Sequence, residues 1–316
     1  MRAAVLRAFG PPGNLVAEEL PDPVPAAGQV LVDVELASVT FVETQMRAGR
    51  PPHPAMAPEL PVVLGNGVGG VVAACGEGVD PALEGRRVVT TTGGRGGYAE
   101  RVAVDRGSLL DVPDALELAD AVALLADGRT ALMLFEAAAI APGETVLVEA
   151  AAGGVGSLLV QLAAAAGARV VAAAGGARKL ALARSLGADD AVDYTRPGWC
   201  ARAGEVDVVF DGVGGAIGRA AFELVRSGGR FSSFGMASGT FAGIGDEVAA
   251  DFGVTLLRGN GHAPERLRAF SERALAAAAA GEIKPVLGQW FSLARAGAAH
   301  AAIEGRETIG KTLLVA

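Results

Sequence analysis

Cysteine and histidine are scarce in this chain of 316 residues. Cys75 and Cys200 are too few for a disulfide framework or a four-cysteine zinc site. His53, His262 and His300 leave little for a metal centre. Positive charge is also short, with 27 Lys and Arg against 35 Asp and Glu and a net charge of −8. The basic footprint of a general nucleic-acid binder is therefore missing. No long apolar run occurs. The most apolar window, 157–176, is broken by Gln161, Gly167 and Arg169, which argues against a membrane span. The N-terminal stretch MRAAVLRAFGPP has no apolar core of a signal peptide, so the expected location is the cytoplasm. No Gly-x-Ser-x-Gly elbow is found. Neither cysteine has a base beside it in sequence, so both read as inert thiols.

Glycine, in contrast, is abundant, at 45 residues. That is about twice its usual share of ~7%, and it signals tight turns and close backbone approaches. Hydrophobic residues at 51% and charged residues at 20% specify a folded chain. The length suits about two domains of ~150 residues each.

The N-terminal third has β texture. Short apolar runs at 30–34, 62–64, 68–74, 86–91 and 98–104 are bounded by Pro and Gly clusters, the pattern of a barrel or sandwich. A helix-like stretch at 120–139 follows. Strand patterns at 145–150, 169–174, 190–194, 206–211, 229–234 and 254–257 then alternate with helical stretches at 155–166, 178–186 and 216–226. This alternation predicts a doubly wound parallel sheet. After a helix at 264–280, the tail returns to β texture at 286–293 and 312–315, which we read as rejoining the first domain. The expected domains are 1–118 with 282–316, and 119–281.

The strand 145–150 runs into Ala151-Ala152-Gly153-Gly154-Val155-Gly156 and then a helix. This approximates G-x-G-x-x-G, with Ala151 at the first glycine. Gly153 lets the backbone approach a pyrophosphate, Gly156 lets helix and strand pack closely, and the helix N-terminus offers N–H groups to the anion. An ordinary glycine-rich turn is the plainer reading. A site for NAD usually ends the second strand in an acid that binds the ribose hydroxyls. Here that strand ends Ala174-Gly175-Gly176, and Arg178 and Lys179 follow. Cations in place of a carboxylate favour the 2′-phosphate of NADPH, to which Tyr194 can add a hydroxyl. Solvated helix charges are the plainer reading of Arg178 and Lys179.

Five segments carry a resemblance over nearly the whole chain: Ala-Ala-Ala-Gly-Gly-Val-Gly at 150–156, Gly-Gly-Tyr-Ala-Glu at 96–100, Asp-Gly-Val-Gly at 211–214, Gly-Gly-Arg-Phe-Ser-Ser-Phe-Gly at 228–235, and Gly310-Lys311. The chain resembles the medium-chain dehydrogenase/reductase superfamily, on its zinc-independent quinone oxidoreductase (zeta-crystallin-like) branch. That resemblance implies an α/β fold: a GroES-like β-barrel domain made from both chain ends, and a Rossmann domain, with NADPH between them. It also implies a homodimer joined edge to edge near 254–257. By position, Ala152, Gly153, Gly154, Val155 and Gly156 would hold the pyrophosphate. Gly175, Arg178, Lys179 and Tyr194 would meet the 2′-phosphate end. Gly212, Val213, Phe234 and Gly235 would line the nicotinamide side, Thr130 would lie beside the nicotinamide ribose, and Lys311 would approach the cofactor from the tail.

The departures are as informative. Zinc members of the superfamily carry a cysteine near 38–40 and a Gly-His-Glu where this chain has Gly65-Asn66-Gly67. Both ligands are absent, so no metal is expected. Thr40 stands where the branch usually has Asn before Phe41, and Gln45 replaces a family Tyr. Without a metal to polarise a simple ketone, the expected acceptor is a quinone or an α,β-unsaturated carbonyl, whose developing oxyanion neutral donors can meet. Thr40, Gln45, Asn66 and Thr130 are the polar candidates, although Asn66 also suits a turn. His53, Arg258 and His262 are lesser candidates for substrate contact. The altered pocket positions leave open an NADPH-binding regulatory protein with little catalysis. A zinc alcohol dehydrogenase is the remaining alternative.

Overall fold

The computed structural model describes residues 1–258 and 263–316. They divide into two units, Met1–Ala126 with Leu275–Ala316, and Asp127–Ala274.

The first unit opens with β1 (Arg2–Leu6), β2 (Leu15–Glu19) and β3 (Gln29–Val39), then α1 (Phe41–Arg47). It continues through β4 (Val62–Val63), β5 (Gly67–Cys75), β6 (Arg87–Thr91), β7 (Arg101–Asp105), β8 (Leu110–Asp111) and α2 (Leu118–Leu124). In β3, Val30, Val32 and Val34 alternate into the core while Gln29, Leu31 and Asp33 are half-exposed, the period of a sheet with one buried face.

The second unit runs α3 (Asp127–Ala138), β9 (Thr145–Glu149), α4 (Gly154–Ala165), β10 (Arg169–Ala174), α5 (Ala177–Ser185), β11 (Asp190–Asp193) and α6 (Trp199–Ala203). Then come β12 (Val206–Asp211), α7 (Gly215–Phe222), β13 (Val225–Ser233), α8 (Asp246–Asp251), β14 (Thr255–Leu256) and most of α9 (Pro264–Ala279), whose last residues from Leu275 fall in the first unit. Its sheet has the order β11-β10-β9-β12-β13-β14 and every pairing is parallel. Helices cover such a sheet on both faces, so its strands are continuous apolar runs. Val146–Leu147–Val148 and Val208–Val209–Phe210 are fully buried. Strand order reverses between β9 and β12. Ligands of doubly wound sheets bind at the carboxyl ends of strands flanking such a reversal.

The tail supplies β15 (Leu287–Ser292), α10 (Ala296–Glu304) and β16 (Lys311–Val315). β16 lies antiparallel to β3, pairing Thr312 with Val39, so the two chain ends share one sheet of the first unit. That sheet runs β15-β16-β3-β5-β6-β8 with β7 also on β3, beside a smaller sheet β2-β1-β4.

One expectation needs correcting. The stretch 120–139 is two helices, α2 and α3, separated at Leu125 and Ala126. The apolar pattern is unbroken there, but α2 packs on β3 and β5 of the first unit, and Asp127 opens α3 with the carboxylate that suits a helix start. Among the described residues, no helix is long and apolar enough to cross a membrane.

Candidate functional site

In the second unit the glycine turn joins β9 to α4 at the strand-order reversal. Gly153 is the N-cap of α4 and its N–H bonds the Ala150 carbonyl at 2.7 Å. The first N–H groups of a helix have no intrahelical acceptor and point outward with the positive end of its dipole. Gly156 must be glycine here, because a Cβ on it would stand 2.3 Å from the Ala150 oxygen. The turn therefore fits a pyrophosphate, as a cradle kept open by close backbone packing. The Asp127 carboxylate also reaches this turn, where a Cβ on Gly154 would meet Asp127 Oδ2 at 1.8 Å. Thr130 lies one turn further along α3 and is half-buried.

At the end of β10, Gly176 (φ +88°) starts α5, and Arg178 and Lys179 fall in its first turn. Arg178 is exposed and Lys179 half-buried. The Tyr194 ring lies against Gly175, with its Cε2 3.5 Å from the position of a Cβ there. A carboxylate does come near, from β11 rather than β10: Asp193 Oδ2 accepts the Gly176 N–H at 3.3 Å. Asp193 also accepts the Thr195 N–H and hydroxyl, and these bonds hold it below the usual carboxylate range.

Two further loops complete the carboxyl edge of the sheet. Phe234 and Gly235 donate their N–H groups to the Asp211 carbonyl at 2.9 and 3.1 Å. Gly235 packs so closely that a Cβ on it would lie 2.4 Å from the Gly212 oxygen. Ser238 N–H bonds the Val213 carbonyl at 2.8 Å. Thus Gly212, Val213, Phe234 and Gly235 are brought together at the ends of β12 and β13.

In the first unit, one carboxylate gathers the remaining candidates. Glu43, on α1, accepts the Thr40 N–H at 2.6 Å through Oε2 and the Asn66 N–H at 2.8 Å through Oε1. Positions 40 and 66, remote in sequence, are thereby clipped to one side chain. Tyr98 donates its hydroxyl to the same Oε2 at 2.9 Å and lies 3.1 Å from His300 Nε2. Glu43, Tyr98, His300 and Lys311 are all buried. Burial raises the Glu43 pKa, opposed by the Thr40 and Tyr98 donors and by the Lys311 charge. Burial also lifts Tyr98 well above its ordinary value and pushes His300 down to about 3, so His300 is a neutral imidazole.

The candidate side chains here differ in what they have left to offer. Asn66 Oδ1 accepts the Gly94 N–H at 2.8 Å, and Gln45 donates to the Thr44 hydroxyl at 3.1 Å. Among the lesser candidates, His53 is exposed and accepts the Ala55 N–H at 3.1 Å. Arg258 is paired with Asp246, and His262 lies outside the described residues. Burial pushes both thiols up, away from reactivity.

Residues 154–260 match the family model for zinc-binding dehydrogenases, and residues 26–114 that for the alcohol dehydrogenase GroES-like domain. A quinone oxidoreductase of Pseudomonas aeruginosa is 31% identical over 98% of this chain and 97% of its own length. This chain belongs to the medium-chain dehydrogenase/reductase superfamily, on its quinone oxidoreductase branch. A 2-haloacrylate reductase from a Burkholderia species is 32% identical, over 99% of this chain and 98% of its own. The structure of Escherichia coli quinone oxidoreductase complexed with NADPH matches at a TM-score of 0.90, with 28% identity and full coverage of both chains.

The zinc in the family description does not fit the residues of this member. Structural and catalytic zinc need three or four N, S or O ligands. Thr40 and Asn66 offer a hydroxyl and an amide, and the Glu43 oxygens are occupied by N–H and O–H donors. Among the described residues, no three His, Cys, Asp or Glu side chains cluster as metal ligands.

Sequence reasoning had not singled out Glu43, Tyr98 or His300 as a group, nor Glu149 with Asp211. A signal for Glu43 was present: Thr40 followed three residues later by Glu is the spacing of a capping box.

Proposed function

We propose that this protein is an NADPH-dependent reductase that delivers hydride to quinones or other electron-poor α,β-unsaturated carbonyls without a metal. The end of β10 carries the reading: Gly175 and Gly176 lead into Arg178 and Lys179, with the Tyr194 ring against Gly175. Two cations and a phenol suit a dianionic 2′-phosphate.

NADPH supplies the hydride when bound, and the chain binds, orients and shields. Ala152, Gly153, Gly154, Val155 and Gly156 give the pyrophosphate backbone N–H groups and a helix dipole. Gly212, Val213, Phe234, Gly235 and Thr130 border the nicotinamide side. Thr40, Gln45 and Asn66 supply neutral hydrogen-bonding groups for the acceptor, whose quinol or enolate oxygen takes its proton from water. Glu43 positions Thr40 and Asn66 through their backbone N–H groups. Lys311 stands with its charge beside Glu43. The named activity of the Burkholderia relative, on a haloacrylate, favours an electron-poor alkene as one acceptor class.

The test is NADPH oxidation with 1,4-benzoquinone, 9,10-phenanthrenequinone and a 2-alkenal, each with and without a chelator. Turnover that chelation leaves unchanged is the expected result. Tight NADPH binding with no turnover on any acceptor points instead to the regulatory reading, and loss of activity on chelation points to zinc.

The same reading carries a cytoplasmic enzyme and a homodimer joined along β14, which ends the parallel sheet with no strand paired on its outer side among the described residues. Light scattering at twice the monomer mass is expected, and a monomer mass excludes the pairing.

A further inference from the structure

β9 and β12 are neighbours at the strand-order reversal, with Phe210 registered against Val148. One residue further along, Glu149 and Asp211 end these strands, and both are fully buried. Their surroundings differ. Asp211 Oδ1 accepts the N–H groups of Val213 at 2.9 Å and Gly214 at 2.6 Å, and Oδ2 accepts the Ser233 hydroxyl at 2.7 Å. Among the described residues neither Glu149 oxygen has a hydrogen bond of good geometry: the Val213 N–H that lies near the carboxyl is taken by Asp211 Oδ1, and the carboxyl faces Asp211.

Two carboxylates side by side in a dry interior cannot both be ionised. Asp211 already accepts three donors and Glu149 none, so a proton shared by the pair is placed on Glu149, where it makes a donor for Asp211. We propose that Glu149 is a positioning residue: held as a neutral carboxylic acid, it hydrogen-bonds Asp211 and ties the phosphate turn after β9 to the 212–214 turn after β12. Glu149 is joined directly to Ala150, whose φ of +48° bends the chain into the phosphate turn. Asp211 holds the N–H groups of the other turn. Ionising Glu149 sets two negative charges against each other and loosens both turns. The role of these turns in holding NADPH rests on the proposed function, whereas the buried proton does not.

Burial, reinforced by Asp211, pushes Glu149 up to about 10. A further titratable group near it among the described residues is the Cys200 thiol of α6, itself pushed up by burial. The folded protein thus keeps a proton that the unfolded chain releases near the ordinary glutamate value of ~4.3. More protons bound in the folded state means that folding weakens as pH rises from there to about 10. Glu149→Gln keeps a donor to Asp211 and has nothing to titrate.

The experiment compares wild type, Glu149→Gln and Glu149→Leu from pH 6 to 9 by chemical denaturation, and NADPH affinity by fluorescence titration at pH 7.5 and 9.5. The Gln variant is expected to gain on wild type by up to about tenfold in folding equilibrium constant per pH unit. A ratio independent of pH overturns the buried proton. Should Gln not fold, the Leu variant, which also cannot titrate, must show the same lost slope. Infrared spectra of wild type must show a protonated carboxyl at pH 7.5 that Glu43→Gln leaves in place, and its absence also overturns the proposal. For affinity, Leu is expected to weaken NADPH binding at least fivefold at pH 7.5 while Gln restores it. Wild type is expected to lose affinity against Gln between pH 7.5 and 9.5, the comparison cancelling whatever else titrates in both. Equal affinity of Leu and Gln overturns the positioning role. If no form binds NADPH, the proposed function fails while the stability comparison still decides the proton.

Discussion

Glu43→Leu is expected to destabilise the protein by about 3–5 kcal/mol, the range for stripping a buried charge of its partner. The substitution fits the volume and suits a helix, so its cost is electrostatic. Three donors lose their acceptor at once: the N–H groups of Thr40 and Asn66 and the Tyr98 hydroxyl. Each unsatisfied group costs about 1–3 kcal/mol when water cannot replace the bond. The buried Lys311 loses the negative charge beside it. Glu43→Gln keeps one carbonyl acceptor and is expected to lose less than half as much. Denaturant midpoints for the two variants measure this directly. A loss below about 1 kcal/mol for Leu would show that water reaches the cluster and that Glu43 is no clip. Because Thr40 and Asn66 are the groups released, kcat with a quinone acceptor is expected to fall more than stability alone explains.

That carboxylate also shows where sequence reading stops. The dinucleotide turn was legible because each part has a local cause: a β run, glycines at the close approaches, then a helical period. Gly156 is a backbone contact written as a residue type. Glu43, in contrast, is marked in sequence only by the Thr40–Glu43 spacing of a capping box, which says nothing of its burial. Only the pairing of β5 with β3 brings Gly67 against Ser38, and with it Asn66 toward the start of α1. Lys311 and His300 arrive from the far end of the chain, because β16 closes on β3. No periodicity encodes such a meeting. The same holds for Glu149 and Asp211. Each ends an apolar strand, but their contact depends on β12 lying beside β9, which follows from the sheet order and not from either strand. The break between α2 and α3 was hidden for the opposite reason. Apolar residues run through it without interruption, and the change of packing partner leaves only Asp127 as a mark.

The double substitution Arg178→Ala with Lys179→Ala is expected to lower kcat/KM for NADPH on the order of 10²-fold while leaving that for NADH within about threefold. The magnitude follows from the chemistry of the pair. A charge-assisted bond to phosphate contributes about 1.5 kcal/mol at the low end of its range, which suits an exposed Arg178 and a half-buried Lys179. Two such bonds give about 3 kcal/mol, or two decades. Because NADH lacks the phosphate, it never gains this energy and has nothing to lose. Most of the change belongs in KM, since the phosphate is remote from the transferred hydride and binds ground and transition states alike. Salt supplies an independent check, because screening weakens exposed ion pairs: wild-type KM for NADPH is expected to rise with ionic strength, and that of the double variant is expected to stay nearly flat. Asp193 sets the direction of any residual preference. Its carboxylate, held ionised beside Gly176, repels a phosphate once the cations are gone, so the variant is expected to prefer NADH outright. Equal losses with both cofactors would place Arg178 and Lys179 in the stability of α5 and remove the 2′-phosphate from their account.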